Sequence, residues 1–322
     1  MIAAGALEAP VASLAQQRTS PPLVVLLLPG APDSTVLQRV WFDAFRANLV
    51  KNGLLEGRDL QLQILAAEGN YERLGDLALQ AVKADPAVIV TTANEPLLVL
   101  HKATQSVPIV ALAMNNPVAL GVVASLSRPG GNVTGLVSEP GDREAKLIQI
   151  LHEAVPKLEK VAVLADTKYP RTSQIIGQME AYAKSRGIAL FPAYASSAAQ
   201  IEPVLDAAFR QGARALVALR INLLSLFWPK VLAFVTSQRV PAIYGYQEIA
   251  EVGGLMGYGT SVTKLYASAA DYVAKILRGQ KPAELPIEQP STFELVVNLQ
   301  TAKALAIKIP QSILLRADRV IE

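Results

Sequence analysis

Leu23–Leu28 (LVVLLL) is an unbroken apolar run stopped by Pro29-Gly30, the pattern of a strand covered on both faces. From Ser34 to Lys51 the period changes. Leu37, Val40, Trp41, Ala44, Phe45 and Leu49 recur at helical spacing, and Asn52-Gly53 supplies a stop. The alternation continues with a strand over 60–66, a helix over 71–84 ended by Asp85-Pro86, and a strand over 87–91. A short helix over 96–104 and a strand over 108–113 complete the series. A second series has strands over 161–165, 188–193, 213–219 and 241–244, separated by helices over 172–186, 198–211 and 223–238.

The two series share their punctuation. Lys51-Asn52-Gly53-Leu54 corresponds to Ser185-Arg186-Gly187-Ile188 at an offset of 134, and Val107-Pro108-Ile109 to Val240-Pro241-Ala242 at 133. A steady offset across several elements implies two similar lobes. The βαβα rhythm makes each a doubly wound α/β lobe with a parallel sheet. After 244 the rhythm breaks. Residues 253–259 look too glycine-rich for a regular element, 261–278 is a helix stopped by Gly279, 285–290 and 293–298 look extended, and 301–306 is a short helix. Segments that return to each lobe give three crossings and hence a hinge.

Composition narrows the chemistry. The 322 residues suit about two domains. There is no cysteine, which excludes disulfides, thiolate metal sites and a cysteine nucleophile. The two histidines, His101 and His152, are too few for a His-rich metal centre, and neither a metal nor another cofactor is expected. The 30 basic and 27 acidic residues are scattered, so the net charge of +3 gives no reason to expect nucleic acid. No run of about 18 apolar residues suggests a membrane span. Residues 1–17 (MIAAGALEAPVASLAQQ) read as the remnant of an export signal: small and apolar, with Ala-Ser-Leu-Ala near a cleavage pattern but without a basic start.

Ligands of open parallel sheets bind beyond the carboxyl ends of the strands. Here those positions offer Ala31 and Asp33, then Thr92, Ala93 and Asn94, then Asn115 and Asn116. In the second lobe they are Asp166, Thr167 and Tyr169, then Arg220 and Asn222, then Tyr246 and Gln247, with Tyr258 beyond. Amides, hydroxyls, tyrosines and one arginine suit a small polar organic molecule with a carboxylate or a ring. Arg220 can grip a carboxylate bidentately, and helix N-termini can donate N–H groups to an anion. Trp41 and Trp228 sit within helical apolar patterns and are expected in the core. Enzyme motifs fail. There is no phosphate-binding loop, dinucleotide fingerprint or nucleophile elbow. Ser261-Val262-Thr263-Lys264 lacks its companion motifs, and Pro129-Gly130-Gly131-Asn132-Val133-Thr134-Gly135 reads as a turn entering a crossover.

The stretches 117–135 (PVALGVVASLSRPGGNVTG), 147–156 (LIQILHEAVP), 240–245 (VPAIYG) and 253–259 (GGLMGYG) carry a family resemblance, with 286–290 and 293–298. The chain resembles bacterial ABC-transporter substrate-binding proteins related to tryptophan- and tyrosine-binding lipoproteins, within the type I periplasmic binding fold. The resemblance implies two doubly wound lobes joined by crossovers near 135–137, 258–259 and 290–294, so the expected division is 23–135 plus 260–290 for the first lobe and 136–258 plus 291–322 for the second. It implies a receptor that closes on a small ligand and delivers it to an ABC permease, here a soluble periplasmic monomer, since no cysteine is present for a lipid anchor. Members often carry Asp before the Pro-Val that stands here as Pro117-Val118; Asn116 replaces it and favours aromatic or aliphatic carboxylates over free amino acids, so the expected ligand is such a carboxylate or an amino-acid-like compound. The alternatives are a ligand-sensing domain of a regulator and a cleft enzyme, for which Asp33, Glu95 and Asp166 are the acidic candidates.

Overall fold

The computed structural model describes residues 20–138, 143–155, 157–167, 169, 171–220, 222–289 and 292–322, without the side chains of Arg143, Asn222 and Leu223. The expected export-signal remnant, 1–17, lies outside the described residues.

Apolar runs become central strands because both faces of each sheet are covered by helices. The first lobe runs β1 (Leu23–Leu28), α1 (Val36–Lys51), β2 (Gln61–Ala66), α2 (Leu74–Lys83), β3 (Val88–Thr92), α3 (Asn94–Ala103), β4 (Ile109–Met114) and β5 (Val133–Val137). Its five strands pair in the order β2-β1-β3-β4-β5, all parallel. Successive β1 side chains enter opposite cores: Val24, Leu26 and Leu28 one, Val25 and Leu27 the other.

The second lobe follows with α4 (Arg143–Ala154), β6 (Lys160–Ala165), α5 (Thr172–Lys184), β7 (Ala189–Tyr194) and α6 (Ile201–Arg210). Next come β8 (Ala215–Ala218), α7 (Asn222–Ser237), β9 (Ala242–Tyr244), α8 (Glu248–Glu251) and β10 (Met256–Gly259). α9 (Val262–Leu277) then packs on α1 and on β3, β4 and β5, so the chain has returned to the first lobe. β11 (Glu294–Asn298), α10 (Leu299–Ala304), α11 (Gln311–Leu314) and β12 (Arg319–Ile321) complete the second. The seven strands pair in the order β12-β11-β10-β9-β8-β6-β7, with only β10 and β11 antiparallel. No helix among the described residues is long and apolar enough to cross a membrane.

Several sequence expectations change. Residues 256–259 form a strand despite their glycines, because glycine serves there for close approach: a Cβ on Gly257 would lie 2.5 Å from Gln247 Cα. The 129–135 segment is a turn only at first, and from Val133 it is the edge strand β5, which keeps Leu136 and Val137 in the first sheet. Residues 285–289 run beside β5 with a single bridge, Leu136 to Glu288, rather than as a full strand. α7 is broken at Phe227 (φ −118°, ψ 17°), two residues before Pro229, which has no N–H to continue the helical ladder.

β4 and β5 approach so closely at Gly135 (φ 132°) that a Cβ there would lie 2.0 Å from the Ala111 carbonyl oxygen. Gly135→Ala should destabilise the protein by at least about 2 kcal/mol in denaturant unfolding. Gly131→Ala, where a Cβ meets nothing within 4 Å, should stay within about 0.5 kcal/mol.

Candidate ligand-binding site

The carboxyl ends of β1, β3 and β4 face those of the second lobe across a cavity of about 100 Å³, lined from both sides. The first lobe contributes the 29–32 loop, Trp41 and Phe42 of α1, residues 92–95, Ala113 and Asn115. The second contributes Glu144, Tyr169, Arg171, Arg220, Leu226 and Tyr246; α9 of the first lobe adds Tyr266, and Ser138 adds the point just after β5.

Strained backbone marks the first-lobe wall. Ala93 (φ 68°, ψ 175°) and Ala113 (φ 59°) hold conformations that residues with a Cβ rarely adopt. The Ala93 N–H donates to the Leu112 carbonyl at 3.0 Å. That bend starts α3 at Asn94 with no side chain capping it, so α3's first-turn N–H groups lie beside the cavity. Asn94 and Asn115 lock each other: Asn94 Nδ2 donates to the Asn115 carbonyl (3.1 Å), and the Asn115 N–H donates to Asn94 Oδ1 (2.9 Å). Ser138 Oγ donates to Asn115 Oδ1 at 3.0 Å.

Arg220 is the fixed cation of the opposite wall. Its Nη1 donates to Thr260 Oγ1, and its guanidinium lies 5.1 Å from the Tyr246 ring centroid. Trp41 meets Tyr246 (5.9 Å) and stacks on Tyr266 (6.3 Å, 24°). Its indole Nε1 is buried and finds no acceptor among the described residues. Below them Glu248, 1% exposed, caps α9: its Oε1 accepts from the N–H groups of Val262 (2.7 Å) and Thr263 (3.2 Å). Burial pushes its carboxyl pKa up, although these hydrogen bonds and the Arg220 charge oppose the shift. Among the described residues no cluster of His, Asp and Glu could hold a metal ion.

Of the residues expected at the site, Ala31, Thr92, Ala93, Asn94, Asn115, Tyr169, Arg220 and Tyr246 line this cavity. Others do not. Asp33 and Thr167 are exposed, and Asp166 receives Thr172 Oγ1 and the Tyr169 N–H on its backbone oxygen. Asn116 is exposed at φ 48° and is not among the residues that line this cavity. Gln247 is buried but donates to Glu294 Oε2 (2.9 Å), and Tyr258 pairs with Phe293 (5.9 Å); both belong to the hinge. Asn222 opens α7, and its side chain lies outside the described residues.

Trp41, Phe42, Glu144, Arg171, Leu226 and Tyr266 were missed. Trp41 had a readable signal. It lies in the second turn of the helix that follows β1, at the strand's carboxyl end, so one residue can be both core and wall. Trp228 stays in the core as expected. Leu226 and Tyr266 had no such signal, since they arrive from distant segments.

Two doubly wound lobes with a jointly lined polar and aromatic cavity define a hinged small-molecule-binding protein of the type I periplasmic-binding class. The chain belongs to the ABC transporter substrate-binding protein family, whose model matches residues 40–321. A curated relative, the tyrosine-binding protein of Clostridioides difficile (strain R20291), is 22% identical over 258 residues, 80% of this chain and 74% of that one. A conserved domain protein from Vibrio cholerae superposes with a TM-score of 0.81 at 25% identity, covering 93% of this chain and 99% of the other. An ABC domain from Streptococcus pneumonia in complex with L-Trp gives 0.80 at 22% identity, covering 94% and 100%.

Glu248 yields a pH prediction. A carboxyl whose pKa is raised by folding lends stability below its ordinary value of 4.5 and loses it as pH rises through the raised value. Glu248→Gln keeps an oxygen for the α9 cap and removes the titration. The Tm of the variant minus that of the wild type should therefore increase as pH is raised from 4 to 8 in about one-unit steps.

Proposed function

We propose that this protein is the exported, periplasmic receptor of an ABC importer and binds a small organic carboxylate, with or without an amino group. The reading rests on one observation above all. Arg220, held by Thr260 and lying over Tyr246, lines the same cavity as the uncapped start of α3. A carboxylate placed between them gains a bidentate ion pair from one lobe and backbone N–H donors from the other. Glu144, 8% exposed on the cavity wall, is an anionic partner for an ammonium group. The relatives named for tyrosine and crystallised with L-Trp support a ligand of this general kind.

The mechanism is population shift. Contacts from both lobes coexist only when the lobes are closed, so ligand favours the closed form by its differential affinity. An ABC permease then distinguishes loaded from empty receptor by the surface that closure assembles. The crossings that permit closure divide the chain into 23–135 plus 260–290 and 136–258 plus 291–322, give or take the last residues of β5.

The test is a thermal-shift screen of carboxylates and amino acids. A ligand at about 100 times its Kd stabilises by about 2.7 kcal/mol, enough for a clear rise in Tm. Arg220→Gln should weaken the best ligand by roughly 10–100-fold, as loss of a charged hydrogen-bond partner does. Asp33→Ala, exposed and off the cavity, should change affinity less than about twofold. No stabilisation by any acid at about 1 mM overturns the reading.

A further inference from the structure

Leu226 crosses from one lobe to the other. It sits at the end of the first segment of α7, beside the break at Phe227. An ideal Cβ on Gly30 would lie 2.2 Å from Leu226 Cδ2, so glycine leaves room for this side chain in the position it holds. Gly69 stands on the far side of the notch: its ideal Cβ would lie 3.5 Å from Phe227 Cζ and 3.6 Å from Leu226 Cδ1. The Gly69 N–H donates to the Pro29 carbonyl at 2.8 Å, which joins the loops after β2 and β1 into one seat.

Leu226 also lines the cavity, and with it seated the space is about 100 Å³. A cavity of roughly 150 Å³ is the size that accepts a benzene ring. Three of the wall's rings are engaged with one another, since Trp41 packs on both Tyr246 and Tyr266. A ligand ring would exceed the space that remains.

We infer that Leu226, seated on Gly30, determines ligand size and restricts the receptor to short aliphatic carboxylates, amino or hydroxy acids included, to the exclusion of ring-bearing acids. The inference rests on the receptor reading above and narrows it. It departs from what the names of the tyrosine- and tryptophan-associated relatives would suggest.

The experiment titrates wild type, Leu226→Ala and Gly30→Val with propionate, butyrate and 3-phenylpropionate, alongside alanine and phenylalanine. Wild type should bind the shorter member of each series at least roughly tenfold more tightly, the scale on which a pocket discriminates a few carbons. Leu226→Ala should shrink that ratio by about tenfold or invert it. Gly30→Val should weaken every acid and raise the radius of gyration in small-angle scattering, because the lobes cannot seat. An unchanged size ratio in Leu226→Ala, or a wild type that binds the phenyl acids as well as the short ones, overturns the size restriction alone. A wild type that binds no acid of either series overturns the receptor reading and this inference with it.

Discussion

One buried hydroxyl ties the cleft to the hinge. Thr260, 1% exposed, lies between β10 and α9, where the chain passes from the second lobe to the first. Its Oγ1 donates to the Ser138 carbonyl at 3.1 Å and accepts from Arg220 Nη1. Ser138 follows β5, where the chain first leaves the first sheet, and its own hydroxyl holds Asn115 on the cavity wall. One short network thus joins two crossings, the fixed cation of one lobe and an amide of the other. A buried polar network of this kind is stable only when its members are satisfied together, so the orientation of Arg220 and the path of the hinge are set jointly.

Glu248 belongs to the same arrangement. It gives α9 an anion at its positive end and puts a negative charge near Arg220, while burial opposes that charge. α9 in turn packs on α1, which carries Trp41 and Phe42 into the cavity. The returning helix therefore supports the ligand wall as well as the lobe. The strain at Ala93 and Ala113 has a similar logic: small side chains tolerate unusual backbone where the wall must stay thin and the N–H groups of α3 must face inward.

Much of the fold was legible because its signals are local. Runs such as 23–28 and 161–165 have the length and continuity of strands buried on both faces, and Gly53 and Gly187 end helices in equivalent places. The signals failed where a residue served a neighbour distant in sequence. Gly257 looked like loop because glycine usually is; it is strand because Gln247 passes within contact of it. The 223–238 pattern read as one unbroken helix, and nothing in it told that a break before Pro229 would set Leu226 against Gly30.

The sequence by itself determined the two parallel-sheet lobes and the strand ends that line the cavity, Arg220 among them, because these follow from periodicity and from the geometry of parallel sheets. Tertiary structure decided which strand-end residues share one cavity. A one-residue turn separates Asn115 on the wall from Asn116 in solvent, and pattern does not resolve that difference. It also decided the cavity's size, since Leu226, Trp41 and Tyr266 converge from segments far apart in the chain, and only packing brings them to the same place.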